Sequence, residues 1–99
     1  MVRLFMIAMV FMVSGAAHAS GLYECEEVDQ SKWLTEEQLT QQLVASGWQE
    51  VRRMKPDGGC WEVYGTTPDG QRVEGYFDPV TGEQLILAQR GRILFRKEE

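Results

Sequence analysis

Three turn signatures divide the second half of the chain into pieces too short for anything but strands. They are Pro56-Asp57-Gly58-Gly59, Thr67-Pro68-Asp69-Gly70 and Asp78-Pro79-Val80-Thr81-Gly82. Each combines Asp, Pro and Gly; in the last, Asp78 starts the turn, Pro79 fixes φ and Gly82 supplies a positive φ. They recur at roughly 11-residue spacing, the interval of an antiparallel meander. Strands are expected at about 48–55, 60–67 and 71–77. Trp61, Val63, Gly65 and Thr67 then share one face, and Cys60, Glu62, Tyr64 and Thr66 the other. In the next strand Val73, Gly75 and Phe77 oppose Arg72, Glu74 and Tyr76. Val51 and Met54 break the alternation of the first strand, which predicts either partial cover on both faces or a bulge. Leu85-Ile86-Leu87-Ala88 predicts a fourth strand over 84–88. Ile93-Leu94-Phe95 forms either a further strand over 92–96 or an exposed apolar tail, after a tight turn at Gln89-Arg90-Gly91-Arg92.

One helix precedes these strands. Thr35-Glu36-Glu37-Gln38 has the capping-box pattern, with Leu34 and Leu39 at the two staple positions. Glu36 and Glu37 complement the positive end of the helix dipole. Leu39, Leu43 and Val44 form the apolar stripe. Gly47 stands where a left-handed C′ residue is needed, and Trp48 follows at C″ to pack on Leu43. The helix is expected over 36–46. The fold class is therefore α+β, one N-terminal helix packed on an antiparallel meander of three to four strands.

The first residues are expected to lie outside the fold. Arg3, the unbroken apolar run Leu4–Val13 and Ala17-His18-Ala19 follow the order of a secretory signal, with cleavage after Ala19. The run falls short of the ~20 residues that span a bilayer. The product is expected in the bacterial periplasm or outside the cell, with no stable membrane span. Cleavage lowers the basic residues from ten to nine against fifteen acidic ones, taking the formal charge from −5 to −6. A surface this acidic excludes a nucleic-acid partner, because neutralising phosphates needs basic residues. Cleavage also removes His18, the only histidine. Ser-His-Asp and Cys-His catalysis go with it, and so do the usual zinc sites.

Cys25 and Cys60 are the only cysteines. In an exported chain such a pair is expected to form a disulfide, contributing ~4 kcal/mol on the loop-entropy scale. A redox pair is the alternative, though no C-x-x-C spacing supports it. Residues 20–30 read as an extended acidic arm, carrying Glu24, Glu26, Glu27 and Asp29, which Cys25 tethers to a domain over 31–96.

The order of helix, Gly47-Trp48, Gly58-Gly59-Cys60-Trp61-Glu62-Val63, Asp69-Gly70 and Asp78-Pro79-Val80-Thr81-Gly82-Glu83 resembles a PepSY domain of the short exported type. The resemblance covers about 31–87, and its most specific piece is the Asp-Pro-x-Thr-Gly turn. It implies a helix on an antiparallel sheet, no catalytic residues, and a role in restraining secreted peptidases or assisting their folding. No peptidase segment accompanies these 99 residues, so such a role is expected in trans.

Three groups are candidate sites. Tyr64 and Tyr76, on the more polar sheet face, and the basic pair Arg52 and Arg53 are expected to form a partner surface, unless the cations merely pair across strands with Glu62 or Glu74. Asp78, Pro79, Thr81 and Gly82 read as a turn, with calcium or a partner contact as the alternative. Glu62 and Glu74, as cross-strand neighbours, are the remaining acid–base pair, but a domain this small leaves little room for a cleft. The expected function is a non-catalytic module that binds a protein, with no cofactor and no metal. Binding of a small ligand or calcium is the alternative, and a scaffold or stress role a third. If the leader reading holds, protein recovered from the periplasm begins at Ser20 with a mass two hydrogens below the reduced value. A chain still beginning at Met1, or carrying two free thiols, contradicts it.

Overall fold

The computed structural model describes residues 21–98. The proposed leader lies outside the described residues. A single 3-10 turn, Gln30–Lys32, leads to α1 (Glu36–Ala45) and then five strands: β1 (Glu50–Asp57), β2 (Cys60–Thr66), β3 (Arg72–Phe77), β4 (Gln84–Gln89) and β5 (Arg92–Arg96). They form one antiparallel sheet in the order β1-β2-β3-β4-β5. The class is α+β as expected. The strand count is five rather than three to four, because Arg90 and Gly91, both at positive φ, turn the chain back and let β5 pair with β4. The helix is not N-terminal: the arm and the 3-10 turn come before it.

The local signals of α1 act as the sequence predicts. Thr35 Oγ1 accepts from Gln38 N at 3.0 Å, and Gln38 Oε1 accepts from Thr35 N at 2.9 Å. At the other end Trp48 N donates to Leu43 O at 3.0 Å and Gly47 N to Val44 O at 2.9 Å, with Gly47 at φ 101°. This pair of bonds is the Schellman ending. Leu39 and Leu43 are buried, but Val44 is 56% exposed. Of the stripe, only the i, i+4 pair Leu39 and Leu43 turns into the core.

The helix covers one sheet face. Leu39, Leu43 and Trp48 pack there with Trp61, Val63, Val73 and Phe77. Trp48 meets Phe77 edge to face at 5.8 Å, and Trp33 meets Trp61 at 5.3 Å. Two polar ring atoms are satisfied by backbone: Trp61 Nε1 donates to Leu34 O and Trp33 Nε1 to Val28 O. Gly65 makes this packing feasible. A Cβ there would lie 2.3 Å from Glu50 O and 3.2 Å from Trp48 Cζ3.

The opposite face has its own small core: Cys60, Tyr76, Leu85 and Ile86, with Leu22, Tyr23 and Cys25 of the arm packed on it. The Cys25–Cys60 disulfide and the bond from Cys25 N to Gly58 O at 2.8 Å hold the arm down. The arm alternates: Tyr23 and Cys25 are half-buried, while Glu24, Glu26, Glu27 and Asp29 are out of the core. The Gly58-Gly59 turn lets it come close, since a Cβ on either glycine would sit 2.8 Å from an arm carbonyl oxygen.

Gly65→Ala should lower the unfolding free energy by about 1–3 kcal/mol, as overpacking against backbone does. Urea unfolding of the oxidised protein measures it, and an unchanged midpoint would contradict the packing described.

Candidate interaction surface

The bulge that the Val51–Met54 spacing left open lies at Arg52. Val51 pairs with Gly65 and Arg53 with Tyr64, which leaves Arg52 as the extra residue of β1. The bulge restores the alternation, so that Met54 faces the helix core opposite Val63 while Arg53 and Lys55 face the other way. Arg53 then lies over the Tyr64 ring, its Cζ 4.8 Å from the centroid. Arg52 reaches a separate shallow cleft of about 210 Å³, shared with Tyr64, Arg72 and Arg90.

Glu62 stands between these groups and the arm. It is fully buried. Tyr64 Oη donates to Glu62 Oε2 at 2.9 Å, and Lys55 Nζ approaches Oε1 at 3.8 Å. The cation paired with Glu62 is thus Lys55, directly opposite it in the ladder. Burial of a carboxylate costs several kcal/mol unless charge and hydrogen bonds compensate it. The phenol responds in turn: desolvation, and then the Glu62 carboxylate beside it, push the Tyr64 pKa up to about 12. Glu62 and Glu74 are not directly opposed. Glu62 faces Tyr76 and Glu74 faces Tyr64, so the two carboxylates are diagonal neighbours.

Three of the four residues expected at a partner surface gather at this end of the sheet: Tyr64 is half-buried, and Arg52 and Arg53 are exposed. Tyr76 is elsewhere. It has no exposed surface, and its hydroxyl donates to Asp57 Oδ2. The polar look of its face misled the reading, because the arm buries that face around Cys60. A clue was present in the sequence: a half-apolar arm whose cysteine pairs with one on the same face as Tyr76.

The Asp78–Glu83 segment is a turn that locks the helix to the sheet. Asp78 Oδ1 accepts from Val80 N and Thr81 N, Gly82 N donates to Asp78 O, and Asp78 N to Glu83 O. Pro79 is buried, and its carbonyl accepts from Leu34 N at 2.7 Å, just before α1. Gly82, at φ 83°, lies against Gln42 of α1 and Leu34. Thr81 Oγ1 accepts from Glu83 N. The other two turn carboxylates are also engaged, Asp57 by Tyr76 and Asp69 by Thr67 Oγ1 and Gln71 Nε2. Among the described residues no three metal-ligating side chains gather. A larger cleft of about 690 Å³, walled by Trp33, Asp57 and the arm, lies beside the β1–β2 turn.

The geometry is that of a small α+β module, one helix and one tethered arm closing the two faces of a meander. The chain belongs to the PepSY family: the family model described as peptidase propeptide and YPEB domain matches residues 3–86. PepSY domains are propeptide and regulatory modules rather than catalytic ones, usually outside the cytoplasm, and the disulfide agrees with that setting. β5 lies beyond the matched residues. No curated protein sequence and no solved structure matches the chain significantly. No helix among the described residues is long and apolar enough to cross a membrane.

A raised phenol pKa has a definite sign. Tyr64 is neutral in both states below its ordinary value of 10.0, and its contribution to stability is lost as pH rises from there through about 12. Comparison of the protein with Tyr64→Phe should show a late tyrosinate absorbance rise that the variant lacks, and a steeper loss of stability over that range. Identical titrations would contradict the Glu62–Tyr64 geometry.

Proposed function

We propose that this chain is an exported, non-catalytic binding module that restrains or assists a peptidase, or another protein of the cell envelope, in trans. Membership of a family of peptidase propeptide and regulatory domains carries this reading. The residues support it. Both cysteines are spent in a disulfide, and the sole histidine lies in the expected leader. The buried Glu62 faces Tyr64 and Lys55 within the sheet rather than an open cleft. Exposed Arg52 and Arg53 beside the half-buried Tyr64 offer planar cations and an aromatic ring, the residue types that anchor protein interfaces. The calcium alternative loses support because Asp69 and Asp78 are committed to hydrogen bonds within their own turns and Asp57 to the hydroxyl of Tyr76 on β3.

The purified protein, added at micromolar concentration to thermolysin-like secreted peptidases, should lower their activity or raise their yield on refolding. An Arg53→Ala/Tyr64→Ala variant should weaken the effect. A panel of such peptidases unaffected in both assays would contradict the proposal.

A further inference from the structure

The two edges of the sheet differ. β1 is an edge interrupted by the Arg52 bulge and by Pro56, which has no N–H to offer. β5, at the other edge, contains no proline, and its outer side pairs with nothing among the described residues. It is also apolar and open: Ile93, Leu94 and Phe95 are 42%, 37% and 40% exposed. Leu87 pairs with Phe95 and Ala88 with Ile93, so Leu94 is an extra, bulged residue. The bulge brings Leu94 and Phe95, neighbours in sequence, to the wall of one groove. That groove, of about 320 Å³, runs over the helix-side face, where Trp48, Pro68 and Leu87 complete its apolar part and Asp69 and Gln71 stand on its polar side.

Charge marks this edge too. From Gln84 to Glu99 the sequence holds four cations, Arg90, Arg92, Arg96 and Lys97, against Glu98 and Glu99, and Lys97 pairs with Glu83 at 3.4 Å. The segment 21–83 has five cations against thirteen carboxylates. The first and last residues of β5, Arg92 and Arg96, are thus cations on an otherwise acidic protein. Two copies joined through antiparallel β5 strands centred on Leu94 would set Arg92 opposite Arg96 twice, and like charges directly opposed destabilise a strand pair. A lipid surface fits no better, because hydrocarbon cannot satisfy the open backbone groups of a strand edge.

We propose that β5 is a docking edge, which accepts an extended segment of a partner protein as a sixth strand, apolar at its centre and carboxylate-bearing at its ends. Backbone pairing supplies the affinity, the groove beside Trp48 takes the apolar side chains, and Arg92 and Arg96 select the acidic ends. This rests on the reading of the chain as a protein-binding module and gives that module a surface and a partner chemistry.

The test uses fluorescence anisotropy of a labelled peptide of alternating valine and threonine with glutamate at both ends. Two companions are a lysine-ended peptide and a glutamate-ended one methylated on alternate backbone nitrogens. The glutamate peptide should bind about tenfold or more tightly than the lysine peptide, one like-for-opposite charge exchange being worth that much in a partly buried pair. Methylation should abolish binding, and Arg92→Glu/Arg96→Glu should reverse the preference. Leu94→Lys should lose the peptide, and it carries the test if the double variant fails to fold. Equal binding of the two charge forms would overturn the proposal, as would binding that survives methylation or Leu94→Lys. No binding at millimolar peptide overturns it as well, whether the protein proves to be a β5-linked dimer by sedimentation or instead binds phosphatidylglycerol vesicles. A peptidase inhibited equally by the protein and by its Arg92→Glu/Arg96→Glu variant would remove this surface and leave the broader function standing.

Discussion

The Cys25–Cys60 bond supports a core that the helix cannot reach. A five-stranded sheet has two faces, and α1, ten residues long, covers only one. The other is closed by seven or so residues of extended chain, which alone have little reason to stay. An extended strand segment without a ladder loses its ordering entropy and gains few contacts. The disulfide removes most of that penalty by keeping the arm close in the unfolded chain as well. Tyr76 and Ile86 are then fully buried, and the Glu62 carboxylate lies deep enough to require Tyr64 and Lys55 beside it.

On the helix face the controlling feature is space rather than a bond. Gly65 leaves room for Trp48, and the Schellman ending of α1 delivers Trp48 there. The Asp78–Glu83 turn fixes the other end of the helix through Pro79 and Gly82. The most specific motif of the family thus has a mechanical role in this chain. It joins the β3–β4 connection to the entry of α1, and its carboxylate is consumed by its own backbone.

Local chemistry made much of this legible. Turn residues, alternation and helix caps depend on neighbours in sequence, so the faces of β2 and β3 and the ends of α1 could be derived, and the irregularity of β1 was narrowed to a bulge or partial cover on both faces. What depended on distant segments could not. Tyr76 sits on a face that alternation alone marks as polar, and only the arm makes it a core residue. Val44 belongs to the helical stripe but stays exposed, because Leu39 and Leu43 are the residues that α1 buries. β5 was ambiguous because Ile93-Leu94-Phe95 lacks alternation, and the bulge at Leu94 explains that lack.

With both faces covered and β1 blunted by its bulge and by Pro56, the short β5 edge, which has a bulge but no proline, is left open, and it is the basic, apolar one. This division into closed faces and one open edge is the central claim, and amide hydrogen exchange on the oxidised protein tests it most directly. Slow exchange is predicted through β2 and β3 and at the Cys25 amide, which donates to Gly58 O. Fast exchange is predicted at alternate amides along β5, those facing away from β4. An arm that exchanges freely, or a β5 protected uniformly along its length, would contradict the account.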